Sequence, residues 1–231
     1  MNVSEYLGKY AALDETAAKK VDLLADFLVA ENEKYNLTAI TDAKDVAMLH
    51  FYDSITPLRF IAHNASLIDI GTGAGFPALP IALFRPDVDV TMLDSTAKKL
   101  AFAQSAAALA GLENTSQLCG RAEELSHRPE CRERFTVATA RGVAVLNVLC
   151  ELALPFVKTG GYFIAMKGRS GGEEAQNAHS AAKALGAKLV ECESVIIPET
   201  DHTHTLVVFE KTRPTPECYP RKYAAITKKP L

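Results

Sequence analysis

From Ser66 onward the apolar residues fall into short runs separated by longer amphipathic stretches, the alternation expected of strands that lead into helices. Leu67, Ile68 and Ile70 form the first run, and Val88 to Leu93 the second. Thr115 to Cys119, Phe135 to Ala140 and Tyr162 to Lys167 supply three more, with Lys188 to Ile197 and Thr205 to Phe209 the last two. Glycines punctuate the helices between them: Lys98 to Ala110 stops at Gly111, Val143 to Val157 at Gly160 and Gly161, and Gly172 to Leu185 at Gly186. Repeated units of this kind predict a doubly wound α/β sheet, mostly parallel. The polar segment around Glu199 to His204 is too short for a crossover, so the last strand is predicted antiparallel. His202 and His204 lie there and read as solvent-exposed turn residues.

Residues 2–63 precede the first strand and carry helical periodicity, with Val21, Leu24, Phe27 and Leu28 on one face and Val46, Leu49, Ile55 and Leu58 on another. Leu58, Phe60 and Ile61 run almost directly into the first strand, without a glycine- or proline-rich linker. The expected organisation is therefore one domain over 1–231: a helical layer to residue 63, a Rossmann-like core over 64–210 and a basic tail over 211–231. Asn36 and Thr38 are expected to terminate one helix of that layer and orient the next.

The chemistry gathers where the first strand ends, in SLIDIGTGAGFPALPIAL from Ser66 to Leu83. Gly71, Gly73 and Gly75 allow a sharp turn and a close backbone approach to a ligand, and the next helix is expected to begin near Phe76. Pro77 and Pro80 fit its first turn, where N–H groups have no intrahelical partner. Dinucleotide folds place a third glycine where this chain has Phe76. Asp69 would repel a pyrophosphate but suits the ammonium and sulfonium charges of S-adenosylmethionine. Asp94 ends the second strand, at the distance where such folds put a ribose-binding acid. A helix cap at Asp94 or Ser95 is the alternative, compatible with the ribose role.

Composition narrows the setting. The chain is 48% hydrophobic with a net charge of −3, and no apolar run reaches the length of a membrane span. Five widely spaced cysteines without a C-x-x-C pair support neither a disulfide framework nor a zinc site, and no signal peptide is recognised. A reduced cytoplasm is the expected compartment. The overall charge argues against indiscriminate nucleic-acid binding. The terminal segment differs: Lys211, Arg213, Arg221, Lys222, Lys228 and Lys229 are interleaved with Tyr219 and Tyr223, so charge and stacking surface coincide. A solubilising or frayed terminus is the alternative.

These features, taken together, resemble the RsmG (GidB, glucose-inhibited division protein B) family of small-subunit rRNA methyltransferases over nearly the whole chain. The resemblance rests on NLTAI at Asn36 to Ile40, on His50, Asp53 and Ser54 in LHFYDSI, on DIGTGAGFPALPIA, and on LDS at Leu93 to Ser95. It continues through GRAE at Gly120 to Glu123, AR at Ala140 and Arg141, MKG at Met166 to Gly168, and the terminal PRK and KKPL. It implies a class I methyltransferase fold with S-adenosyl-L-methionine as cofactor. The reaction implied is methylation at N7 of guanine 527 of 16S rRNA, with the small ribosomal subunit or its precursor as partner. Gly71 and Phe76 match family positions around methionine and adenosine, Asp94, Ser95 and Thr96 its ribose segment, and Ala122 with Glu123 its adenine contacts. Arg141 matches a family residue beside the cofactor. Tyr223 to Ile226 depart from the family, which usually has a proline- and glycine-containing turn there.

Guanine N7 carries a free lone pair that can attack a sulfonium methyl directly, so the reaction needs placement and charge management rather than a base. TARGV at Thr139 to Val143 holds neither the cysteine that cytosine C5 methylation requires nor the Asn/Asp-Pro-Pro-aromatic signature of adenine amino methylation. Arg141, Lys167 and Arg121 are the candidate catalytic cations near strand ends, suited to a phosphate or to guanine O6. Arg121 fits a surface salt bridge almost as well, and Lys167 could simply terminate its strand. Arg221, Lys222, Lys228 and Lys229 are the candidate RNA contacts, and no metal site is expected. His50 reads first as a packing residue. A small-molecule methyltransferase or dehydrogenase, and a cofactor-binding protein without catalysis, stay open beside the rRNA enzyme.

Overall fold

The computed structural model describes residues 1–32 and 37–231, with the backbone alone at 33–35; Asn36 lies outside the described residues. Seven strands form one sheet: β1 (Ser66–Ile70), β2 (Asp89–Asp94), β3 (Thr115–Cys119), β4 (Phe135–Arg141), β5 (Val157–Lys167), β6 (Ala187–Ile196) and β7 (Thr203–Lys211). Their order is β3-β2-β1-β4-β5-β7-β6. The first five strands pair in parallel, and β7 inserts antiparallel between β5 and β6, as the short preceding segment requires. The chain winds outward from β1 through β2 to β3 and, on the other side, through β4 to β5. The crevice between the carboxyl ends of β1 and β4 is thus the topological switch point, where open α/β sheets bind ligands.

Successive side chains of a strand point to opposite faces, so Leu67 and Ile68 belong to different cores. Leu67 packs with Ile81, Val90 and Phe102 and with Leu24, Leu28 and Phe51 of the N-terminal helices. Ile68 and Ile70 pack with Leu149, Phe156, Phe163 and Phe209 on the other face. Burial on both faces explains why these strands read as continuous apolar runs. The helical layer contains Val3–Leu7, Glu15–Tyr35 and a π-helical segment, Val46–Tyr52, that runs into Asp53–Ile55. Wider turns of this kind occur most often at functional sites, and this one carries His50.

Three expected boundaries move, each for a local reason. Gly160 and Gly161 do not stop a helix. The helix is Leu146–Ala153, a 3₁₀ turn over Leu154–Phe156 follows, and β5 already begins at Val157. The glycine pair lies inside β5 at a bulge, where pairing to β4 jumps from Phe135 with Val157 to Val137 with Tyr162. Gly160 has φ +84°, and a Cβ on Gly161 would overlap the Thr136 carbonyl oxygen. The expected helix over 172–185 is broken at Ala178 into Gly171–Asn177 and His179–Ala184. The glycine-turn helix begins at Ala78, with Pro77 as its N-cap residue, rather than at Phe76.

The tail is built into the fold. Residues Tyr223–Lys228 form a helix whose Ile226 is fully buried in the second core. Lys211 ends β7 with its ammonium wholly buried, donating to the Leu154 and Val157 carbonyls, the Thr215 hydroxyl and the Glu133 carboxylate. Its charge is therefore satisfied internally and does not belong to a surface patch.

The bulge makes a prediction. Gly161→Ala should destabilise the protein by about 1–3 kcal/mol, since backbone must move to admit the methyl. Gly160→Ala, with open space around it, should lose only about 1–2 kcal/mol from its left-handed backbone. Urea unfolding of both variants checks the order; equal losses would mean that packing against β4 contributes nothing.

Candidate active site

The glycine turn is set by its backbone. Gly71, Gly73 and Gly75 all have positive φ, at +70°, +59° and +87°, which only glycine adopts without strain. Their missing side chains serve packing more than ligand approach. A Cβ on Gly71 would come within 2.7 Å of a Val143 methyl, and one on Gly75 would overlap Leu79. The expectation that all three clear space for a ligand is thus corrected; Gly73 alone faces open space.

Beside this turn lies a cavity of about 300 Å³, walled by Gly71, Asp94, Ser95, Thr96, Arg121, Ala122, Glu123, Val143 and Tyr223, among others. Asp94 is mostly buried, and each carboxylate oxygen accepts one backbone N–H: Gly73 to Oδ2 at 3.0 Å and Thr96 to Oδ1 at 2.8 Å. The acid therefore ties the glycine turn to the start of helix Ala97–Leu109, whose N-cap is Thr96. A carboxylate accepts about four hydrogen bonds, so both oxygens retain capacity toward the cavity. Glu123 sits in the first turn of the short helix Ala122–Leu125.

Asp69 is buried beneath the turn and takes no part in the cavity wall. Oδ1 accepts from the Thr139 hydroxyl at 2.8 Å, while Oδ2 and the Thr72 hydroxyl have no full hydrogen bond. Burial pushes the Asp69 carboxyl up to about 6, with Thr72 and Thr139 partly offsetting it. The acceptor that faces the cavity is Asp94, whose spare capacity suits the hydroxyls of a nucleoside.

On the other side of Phe76 is a polar cluster built from four elements. Arg141, at the end of β4, donates to the Leu49 carbonyl and to Asp53 Oδ2, both at 2.8 Å. His204 of β7 places Nδ1 2.7 Å from the other Asp53 oxygen. Burial pushes the Asp53 carboxyl up, but His204 and Arg141 outweigh it and hold it below the ordinary value. His50 stacks on Phe76 at 4.7 Å, and the Arg141 guanidinium lies 5.7 Å from the same ring. Arg141 donates to His50 Nδ1 at 3.4 Å, which leaves the proton on Nε2, 3.0 Å from the Thr38 hydroxyl. Burial, then the Arg141 charge, lowers His50 to about 4, so its imidazole is neutral near pH 7.

The expected residues therefore divide. Gly71, Asp94, Ser95, Thr96, Arg121, Ala122 and Glu123 converge on the cavity, whereas Asp69, Gly73, Gly75, Phe76 and Arg141 lie outside its wall. Lys167 is not a free cation: it pairs with Glu174 at 2.9 Å and donates to the Ala144 carbonyl. Arg221 is likewise committed, gripping the fully buried Glu151 through Nε and NH2 at 2.9 and 2.6 Å. Arg121 makes no ion pair among the described residues and lies 5.9 Å from the Tyr223 ring. His204 is not a solvent-exposed turn residue; Asp53 draws it inward. Asp53 and Glu151 have no role in the sequence reading, although an acid inside LNVLCELA is a signal that a buried cation partner exists.

A seven-stranded sheet with β7 antiparallel, and acids ending β1 and β2 around a glycine turn at the switch point, defines a class I S-adenosylmethionine-dependent methyltransferase. Solved structures share this fold. YcgJ from Bacillus subtilis superposes with TM-score 0.55 at 17% identity, covering 71% of this chain and all of that one. TYW2 from M. jannaschii, solved with AdoMet, gives 0.54 at 15% identity over 70% of this chain and 76% of that one. In sequence, residues 17–203 match the family described as rRNA small subunit methyltransferase G. The ribosomal RNA small subunit methyltransferase G of Alkaliphilus metalliredigens is 42% identical, covering 95% of this chain and 92% of that protein. That of Clostridium perfringens is also 42% identical, over 94% and 92%. The chain belongs to the rRNA small subunit methyltransferase G family, and its cofactor is S-adenosylmethionine.

Two buried groups set opposite slopes of stability against pH. His50, at about 4 when folded against 6.5 ordinarily, destabilises as pH falls from 6.5 to 4, because only the unfolded chain takes up the proton. Asp69, at about 6 against 3.8, stabilises as pH falls through 6, because the folded chain binds its proton first. Asp53, held low, contributes above its ordinary range and loses that contribution only at more acid pH. Wild-type stability should therefore be nearly flat between pH 6 and 4, and Asp69→Asn should restore a steep acid loss of about 3 kcal/mol. Denaturant melts across pH, with an NMR titration of His50, check this; a His50 midpoint near 6.5 would contradict it.

Proposed function

We propose that the enzyme methylates N7 of guanine 527 of 16S rRNA, in the small ribosomal subunit or its precursor and in the cytoplasm. The observation that carries the reading is that two unlike sites meet the two ends of the Gly71–Phe76 turn: a cavity walled by Asp94 and Glu123 at Gly71, and the Arg141–Asp53 pair beside the Phe76 ring. No helix among the described residues is long and apolar enough to cross a membrane.

S-adenosylmethionine supplies the methyl on a positively charged sulfur. Asp94, with Ser95 and Thr96, takes the ribose hydroxyls; a charge-assisted bond of this kind contributes about 1.5–3 kcal/mol. Ala122 and Glu123 meet the adenine. A bound donor would present its methyl on a sulfonium, and the lone pair of guanine N7 carries no proton that would have to be removed. A general base is not required, in keeping with a His50 held neutral and hydrogen-bonded at both nitrogens. Arg141, pinned beside Phe76, orients the guanine or its phosphate. Lys222, Lys228 and Lys229 meet the RNA backbone, with Arg221 holding the segment that carries them. Arg121, without an ion pair among the described residues, stands in the cavity wall as a cation that can meet the substrate. Lys167, bound by Glu174 and the Ala144 carbonyl, braces the loop after β4 rather than meeting substrate.

Chemical cleavage mapping of 7-methylguanine in 16S rRNA tests this. Cells lacking the gene should lose the signal at guanine 527; wild type should restore it and Asp94→Ala should restore it poorly. An unchanged signal in the deletion, or loss at another nucleotide, would overturn the assignment.

A further inference from the structure

By sequence order alone, the terminal segment, which follows the last strand of the sheet, would lie away from the glycine turn of β1. Instead it crosses the cavity mouth. Tyr223, first residue of the last helix, lines the cavity together with Asp94, Thr96 and Ala122. The same ring borders a second hollow of about 570 Å³, between Glu123, Glu124 and His127 on one side and Pro220 to Lys222 on the other. It therefore forms a partition at the Glu123 end of the site.

The backbone that carries the ring is held there. Glu151, fully buried, accepts the Arg221 backbone N–H at 2.8 Å as well as two guanidinium bonds. The His127 ring bonds the Pro220 carbonyl at 2.9 Å, Arg132 donates to the Tyr219 carbonyl, and Ile226 is buried beneath the helix. With these anchors on both sides of it, Tyr223 is placed by the core although its side chain remains partly exposed. The Arg121 guanidinium 5.9 Å from its ring flanks the same opening.

An acid wall for hydroxyls next to a flat aromatic face has the chemistry of a nucleoside site. We propose that Tyr223 is a cofactor-binding residue that supplies one face for the purine of the methyl donor. The terminal helix is then part of the cofactor site. The inference rests on the reading that the methyl donor occupies this cavity.

Calorimetry with S-adenosylhomocysteine and with adenosine, on wild type, Tyr223→Phe and Tyr223→Ala, provides the test. Tyr223→Ala should raise Kd for both probes about 10-fold, with the melting temperature of the unliganded protein unchanged, while Tyr223→Phe stays within about twofold. If the alanine variant proves less stable, Tyr223→Leu, which keeps apolar bulk without a ring, should show the same loss. Wild-type affinity in the alanine or leucine variant would overturn the proposal, as would a loss of S-adenosylhomocysteine but not adenosine. Failure of wild type to bind either probe would instead overturn the functional reading.

Discussion

A carboxylate taken out of water is costly unless it is bonded on every side, and Asp53 meets that condition by drawing two distant strands to the helical layer. Arg141 comes from the end of β4 and His204 from the start of β7, and both close on the same buried acid. The cation at the switch point is therefore positioned by residues 1–63 rather than by the sheet that carries it. Leu49, His50 and Thr38 complete the arrangement from the same layer. The π-helical turn belongs to this constraint, since it brings the Leu49 carbonyl, the His50 ring and the Asp53 carboxylate toward one guanidinium.

A second buried acid does the equivalent work at the other end of the chain. Glu151 faces a core of leucines and is neutralised by Arg221, so the tail is fastened to helix Leu146–Ala153. Both additions to the doubly wound sheet, one before it and one after it, thus carry a buried acid paired to a distant arginine in addition to their apolar packing. Removing one partner of such a pair costs about 3–5 kcal/mol, far more than an exposed pair contributes. The cavity with Asp94 lies between the two anchors, and its walls come from the glycine turn, the ends of β2 and β3, and the tail.

Much of this was legible in the chain. Short apolar runs give strands when both faces of a sheet are covered, and β1 falls at Ser66–Ile70 as the pattern predicts. The glycine turn and the two acids could be read because local backbone geometry and strand ends fix them. What escaped was set by long-range contact. Gly160 and Gly161 looked like a helix stop because a bulge in β5 is visible only once β4 lies beside it. His204 looked like a turn residue because Asp53, its partner, lies 151 positions away. Arg221 and Lys167 looked like free cations because Glu151 and Glu174 meet them only in the folded chain. Tyr223 was read as a stacking surface for RNA because sequence order places it far from the cavity it lines.

The account turns on Asp53 fixing Arg141, and single-turnover methyl transfer by Asp53→Asn measures that directly. Assayed well below the variant's melting temperature, with S-adenosylhomocysteine affinity determined alongside, the rate should fall about 100-fold while Kd changes less than about twofold, as misplacement of a positioned group requires. An unchanged rate, or a rate and an affinity that fall together, would contradict it.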